Sequence, residues 1–247
     1  MKSLTVIQHT SADYLGLMED HLEGRRIRFT YNRPFTEAGK PPTYDDLRDG
    51  LVLLGGGPWG SAGGRDVPTL EAEISLARTA LMIGKPVIGI GLGAQILAIA
   101  ADGKSEAREL TFELGQATRT SPDALNGYLP EQYPNVVYMR DTPVPPAYAQ
   151  ILAEDGEGRP ALFQIGDNAF GFSGHPGFKL AMAEDLIMEF EESPQDTGPT
   201  LQQLRSMKRE IEDALVPIMT GLVQCTSLMS SPRAARSAGA ELDKTVI

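Results

Sequence analysis

The chain has 247 residues, 41% of them hydrophobic, enough to bury one sizeable core and pointing to one domain with extensions. A net charge of −11 argues against a nucleic-acid surface, which would be basic, and reads as a solubility charge. No apolar run is long enough to span a membrane, and the first residues read straight into a strand rather than a signal peptide. The single cysteine, Cys225, excludes an intrachain disulfide framework and fits a reducing cytoplasm.

Residues 4–8 read as a first strand, with His9 at its C-terminal end, where α/β folds place ligand sites. A lone histidine there is more often a hydrogen-bonded structural residue, so His9 stands only as a pocket candidate. A weak helix is expected over 14–22. Residues 26–31 alternate polar and apolar, as a strand nearer a sheet edge does. Beyond a loop bearing Pro34, Gly39, Pro41 and Pro42, residues 51–54 form a buried strand. It runs into Gly55-Gly56-Gly57-Pro58-Trp59-Gly60-Ser61. Glycines after a strand let backbone N–H groups approach a ligand without a Cβ in the way, although a glycine run alone is equally a plain turn. Leu70, Ile74, Ala77 and Leu81 have helical spacing, with Thr69 as N-cap and Gly84 as the stop.

Residues 85–98 organise the rest. A short apolar run suits a strand buried on both faces; it breaks at Gly89, Gly91 and Gly93 and resumes as a small-residue helix. A strand entering a helix through a tight turn aims one side chain outward and offers first-turn N–H groups to developing negative charge. The apex residue, Gly91, has no side chain. The segment Gly89-Ile90-Gly91-Leu92-Gly93-Ala94-Gln95 resembles the nucleophile elbow of class I glutamine amidotransferases, Gly-x-Cys-x-Gly-x-Gln, with glycine where that family has cysteine. The resemblance implies an α/β, flavodoxin-like fold with a mostly parallel central sheet flanked by helices and an antiparallel flap. It also implies oxyanion donors at the backbones of Gly57 and Leu92, with Gln95 beside them. Trp59 stands where the family has a smaller residue, and either narrows the pocket or packs outward against a partner.

Further along, Glu113-Leu114-Gly115 is similar to an element that follows the elbow helix in several family members. Residues 119–133 read as irregular, and a strand over 136–139 leads to Arg140-Asp141-Thr142. The family holds its glutamine substrate near here; only Asp141 matches, and the resemblance makes it a substrate-binding position. Strands over 150–153, 161–165 and 169–172 would build the flap. Then Phe172-Ser173-Gly174-His175-Pro176-Gly177 resembles the family's Phe-His-Pro-Glu signature, keeping His175 as the general-base position and placing Gly177 at the glutamate position. A catalytic histidine needs a proton donor beside it and a group fixing its tautomer. Both positions, Gly91 and Gly177, are glycine.

The resemblance ends near 192. The expected organisation is an amidotransferase-like domain over 1–192, a helical extension over 193–229 and a polar tail over 230–247. Met182, Leu186 and Phe190 recur on one helix face. Thr200-Leu201-Gln202-Gln203 reads as a capping box opening the last helix, whose apolar line is Leu201, Leu204, Met207, Ile211, Leu215, Ile218 and Leu222, with Pro217 expected to kink or interrupt it. That line serves equally for packing on its own domain or for a partner-binding or dimerising arm.

The expected function is a class I glutamine amidotransferase-like protein without glutaminase activity. It would act in the cytoplasm as a ligand-binding, regulatory or scaffolding subunit, with no metal or cofactor and with a small amide- or carboxylate-bearing ligand. The alternative is an active amidotransferase or amide hydrolase with a non-standard nucleophile. Ser61, Ser173 and Thr142 are its hydroxyl candidates, and Cys225 reads as an apolar packing residue. A third reading is a structural interaction protein whose pocket is a relic.

Overall fold

The computed structural model describes residues 1–229, so the tail read over 230–247 lies outside the described residues. In chain order the elements are β1 (Ser3–Ile7), α1 (Met18–Gly24), β2 (Arg28–Asn32), β3 (Gly50–Leu53), α2 (Leu70–Met82), β4 (Val87–Ile90), α3 (Leu92–Ala100), β5 (Lys104–Glu106), β6 (Thr111–Arg119), β7 (Gln132–Met139), β8 (Thr142–Val144), β9 (Gln150–Glu154), β10 (Pro160–Ile165), β11 (Ala169–Phe172), α4 (Leu180–Glu189) and α5 (Thr197–Cys225). Nine strands form one sheet in the order β2-β1-β3-β4-β11-β10-β9-β6-β7, while β5 and β8 pair separately.

From β2 to β11 the neighbours are parallel; from β11 to β7 they are antiparallel. The strands expected as a flap therefore continue the central sheet, because β11 returns to lie beside β4 with Phe172 opposite Ile90. The sheet is covered on both faces, and the alternation of side chains says by what. Leu4, Val6, Val52, Leu54, Ile88, Ile90, Phe170 and Phe172 share a cluster with Leu22 of α1 and Leu215, Ile218 and Leu222 of α5. Their strand neighbours Ile7, Leu51, Leu53, Val87, Phe163 and Ala169 instead meet Ile74 and Ala77 of α2 and Ile96 and Leu97 of α3. Period-two side chains on two helical layers make an α/β sandwich.

Three local expectations are corrected. The first helix starts at Met18 rather than near 14: residues 14–17 form a turn in which Gly16, at φ 62°, lies so near the Gly177 carbonyl that an added Cβ would come within 2.2 Å of that oxygen. The last helix opens at Thr197, three residues before the expected capping box, with Asp196 left-handed at φ 53° as its N-cap. It also runs unbroken through Pro217, held on either side by buried Leu215, Ile218 and Met219. Of the two readings of its apolar line, packing on its own domain describes α5: Leu204, Ile211, Leu215, Ile218 and Leu222 are all buried. Among the described residues no helix is long and apolar enough to cross a membrane.

Candidate functional site

The order β2-β1-β3 puts a chain reversal at β1, and in such sheets ligands bind beyond the carboxyl ends of strands beside the reversal. The loops after β1, β3, β4 and β11 are where the sequence placed its site. Gly91 joins β4 to α3 at φ 56° and ψ −115°, a backbone conformation that side chains rarely adopt. Space is not what excludes one: an added Cβ would touch only the Gly55 Cα, at 3.4 Å. Two positions on, a Cβ on Gly93 would come within 2.0 Å of the Leu53 carbonyl oxygen, so that glycine lets α3 lie directly on β3. The Gly91 N–H donates to Phe172 O at 2.8 Å, fixing the turn to the end of β11. Gly57, at φ 56°, lies beneath Phe190 and Leu186, whose ring and methyl carbons would be 3.1 and 3.2 Å from an added Cβ. Among the described residues the N–H groups of Gly57 and Leu92 donate to no backbone carbonyl.

Three residues after Phe172, the His175 ring is fully committed to backbone. Its Nδ1 accepts from the Gly177 N–H at 3.1 Å, so the proton resides on Nε2, which donates to Tyr14 O at 2.8 Å. The ring is buried and stands edge-on to Phe178 at 5.8 Å. Burial dominates its titration and pushes the pKa down to about 4, against the weaker opposing pull of the Tyr14 carbonyl. The family's glutamate position, Gly177, has no room for a larger residue: an added Cβ would lie 3.0 Å from both Met18 N and Met18 Cγ.

The other strand-end histidine is different. His9 Nδ1 donates to Gly55 O at 2.9 Å, and Nε2 lies 2.7 Å from Glu73 Oε2, with both side chains fully buried. Burial alone would lower the His9 pKa, but the charge and hydrogen bond of Glu73 with the Gly55 carbonyl raise it instead, so His9 is held as a cation. Thr69, expected to cap α2, spends its hydroxyl on Glu73 Oε1. Beside this pair sits Asp13, buried, with Oδ1 unpartnered and Oδ2 in the space a Gly55 Cβ would need, 1.9 Å from it. Burial pushes the Asp13 pKa up to about 7, with the His9 charge opposing and Glu189 reinforcing. The buried Tyr138 hydroxyl likewise has no partner. Sequence reasoning missed Asp13 and Glu73. Glu73 left a signal, since it shares the inward face of α2 with Leu70, Ile74 and Ala77, where an ionised side chain requires a partner.

Gln95 and Asp141 act as stitches between loops. Gln95 Nε2 donates to Arg140 O at 2.6 Å while its Oε1 accepts from Ser61 Oγ at 2.6 Å. Asp141 Oδ2 accepts the N–H groups of Ser61 and Ala62 at 2.8 and 3.0 Å, and Oδ1 takes the Arg108 N–H at 3.1 Å. These bonds tie the loop after Trp59 to the end of β7. There Arg140 Nε donates to Pro58 O at 2.9 Å, and the guanidinium groups of Arg140 and Arg65 both pair with Glu192. Arg65 also lies over the Trp59 ring, 4.9 Å from its centroid.

The remaining candidates are dispersed. Ser61 is bound to Gln95, Ser173 Oγ donates to Pro160 O at 2.6 Å, and Thr142 opens β8 in the small sheet. Cys225 ends α5, half-buried, with its thiol pKa raised by burial. A cleft of about 100 Å³ opens beside His9 between Phe35, Trp59, Val67 and Thr69. Among the described residues no group of three metal-ligating side chains occurs.

The fold defined by this sheet is that of class I glutamine amidotransferases. A glutamine amidotransferase from Methylobacillus flagellatus superposes with a TM-score of 0.75 at 20% identity, covering 91% of this chain and 95% of that one. One from Thermotoga maritima gives 0.76 at 20% identity, covering 91% and 98%. PurLQS from the same organism gives 0.51 at 17% identity, over 87% and 100%. No protein-family model matches the sequence, nor does any curated protein.

Proposed function

We propose that this chain is a class I glutamine amidotransferase-like protein that does not hydrolyse glutamine and instead binds a small ligand as a regulatory or scaffolding subunit. The observation carrying this reading is the state of His175: one ring nitrogen accepts from the Gly177 N–H and the other donates to Tyr14 O. A general base needs a free lone pair directed at the nucleophile, and an elbow ending in Gly91 offers no thiol to deprotonate. The fold supports the family; the missing side chains and committed imidazole oppose its reaction. Pseudoenzyme is the fitting word.

The hydrolase alternative finds less support, because the hydroxyls of Ser61 and Ser173 are donated to Gln95 and Pro160 rather than to a base. A protein partner remains part of the proposal, and PurLQS is the neighbour whose printed name suggests an assembly setting. A partner or second copy meeting α5 would face its charged side, where Lys208, Arg209, Glu212 and Asp213 form i,i+4 pairs, since the apolar line is buried. The lone Cys225 thiol suits a reducing compartment, and the reading places the protein in the cytoplasm. The test is ammonia release from L-glutamine by the purified protein, with a Cys225→Ser variant alongside. Release at background is expected from both; turnover above background in either would overturn the reading.

A further inference from the structure

We propose that Arg65 and Arg140 form a carboxylate clamp at the mouth of the glycine loop, and that Glu192 occupies it in place of the carboxylate of a small ligand. This rests on the reading above that the sheet's carboxyl end binds a ligand rather than hydrolysing one.

The clamp is built from both ends. Arg140 leaves β7 with its backbone carbonyl held by Gln95 of the elbow helix at 2.6 Å and its Nε held by the carbonyl of Pro58 at 2.9 Å. That leaves its terminal nitrogens turned to Glu192 Oε1. Arg65 stands on a loop closed by Gly60 N–H to Arg65 O at 2.8 Å and braced by Asp141 on the N–H groups of Ser61 and Ala62. Its guanidinium, layered over Trp59, meets the other oxygen, Glu192 Oε2. Two planar donors thus take one oxygen each of a single carboxylate, an arrangement that fits a carboxylate by shape as well as charge.

Glu192 itself comes from outside this framework. It lies three residues beyond the end of α4, in the connection to α5, and its side chain is 38% exposed. A carboxylate so exposed gains little from each ion pair and exchanges against a competing one in solution. The arginine side chains are fixed whereas their occupant is not, which is the relation of a site to a ligand. Gln95 and Asp141 then act as positioning residues for this clamp, a role the elbow helix keeps although its apex is empty of chemistry.

Trp59, the only tryptophan, reports the site directly because Arg65 covers its ring. Fluorescence titrations with glutarate and L-glutamate are made on the full chain and on Glu192→Gln, with inorganic phosphate as the control for charge alone. Glu192→Gln should gain a saturable Trp59 response to glutarate or L-glutamate, with the wild type weaker on the order of tenfold because its clamp is internally occupied. Adding Arg140→Gln to Glu192→Gln should abolish the response while far-UV circular dichroism stays unchanged. The proposal is overturned if Glu192→Gln responds to neither carboxylate, if phosphate binds as tightly as they do, or if the response survives Arg140→Gln. Ammonia release would count against the proposed function and leave these titrations as they stand, so the two fail separately.

Discussion

His9 and His175 both end strands of one sheet, both are buried, and both engage each ring nitrogen, yet they are opposite acids. His9 faces two acceptors, the Glu73 carboxylate and the Gly55 carbonyl, and is held as a cation. His175 faces one acceptor and one donor, both backbone, and is held neutral. Burial costs the same kind of energy in both places; a carboxylate partner decides which form survives it. The contrast teaches that a histidine in a catalytic motif loses its chemistry when its carboxylate is lost. Here the ionised histidine–carboxylate pair sits instead two strands away, between β1 and α2.

Glu73→Gln breaks the contrast most directly. Removing one partner of a buried ion pair costs about 3–5 kcal/mol, and the urea midpoint should fall accordingly. The double variant His9→Leu/Glu73→Leu should recover most of that. An unchanged midpoint for Glu73→Gln would mean His9 folds neutral and the two histidines are alike.

Asp13 comes next. Its folded pKa, about 7, lies above the unfolded value of 3.8, so the native state binds the extra proton between them. The stability this provides is present below about pH 4 and is lost as pH rises through 7, up to roughly 4 kcal/mol. Asp13→Asn should therefore flatten the fall in unfolding free energy between pH 4 and pH 7. His175 has the opposite sign: with a folded pKa near 4 against 6.5, it destabilises the protein by roughly 3 kcal/mol as pH falls from 6.5 to 4. His175→Gln should remove that slope, measured as the difference from wild type at pH 4.5 and pH 7. If the two slopes do not separate in the two variants, the opposed environments are not what sets stability in acid.

The smallest effect belongs to Gly91→Cys. The backbone strain of a side chain at φ 56° costs about 1–3 kcal/mol, and the open space above Gly91 adds no clash. Glutaminase activity should not appear, since His175 stays bound to Tyr14. Adding Gly177→Glu should lower stability further against Met18 rather than rebuild a relay. Ammonia release by either variant would show that the imidazole is free to turn.

Local features were legible in the sequence because they are local. The elbow is a run of glycines whose spacing dictates the turn at Gly91, and the alternation in β3 and β4 announces strands buried on both faces. What was not legible depends on chain returning from far away. Tyr14 O meets His175 across 161 residues, and Arg65 meets Glu192 across 127. The flap became sheet because β11 pairs with β4, a choice no local pattern encodes. Gln95 and Asp141 were read as substrate contacts because the family's motif puts them near substrate; their oxygens and amide instead hold Ser61, Ala62 and Arg140.

The last helix has a consequence for how the protein is made. Leu22 and Ile27, translated early, belong to the same buried cluster as Leu215, Ile218 and Leu222. Roughly 200 residues separate the two groups, so at ordinary elongation rates the first half of that layer waits about 10–40 s for the second. During that interval β1, β3 and β4 can pair with one another and receive α2 and α3, but their other face has no complete cover. A nascent chain holding an uncovered apolar sheet for tens of seconds is the kind of client that trigger-type and cavity-type chaperones hold, and a stall or stop codon ahead of α5 would leave it in that state.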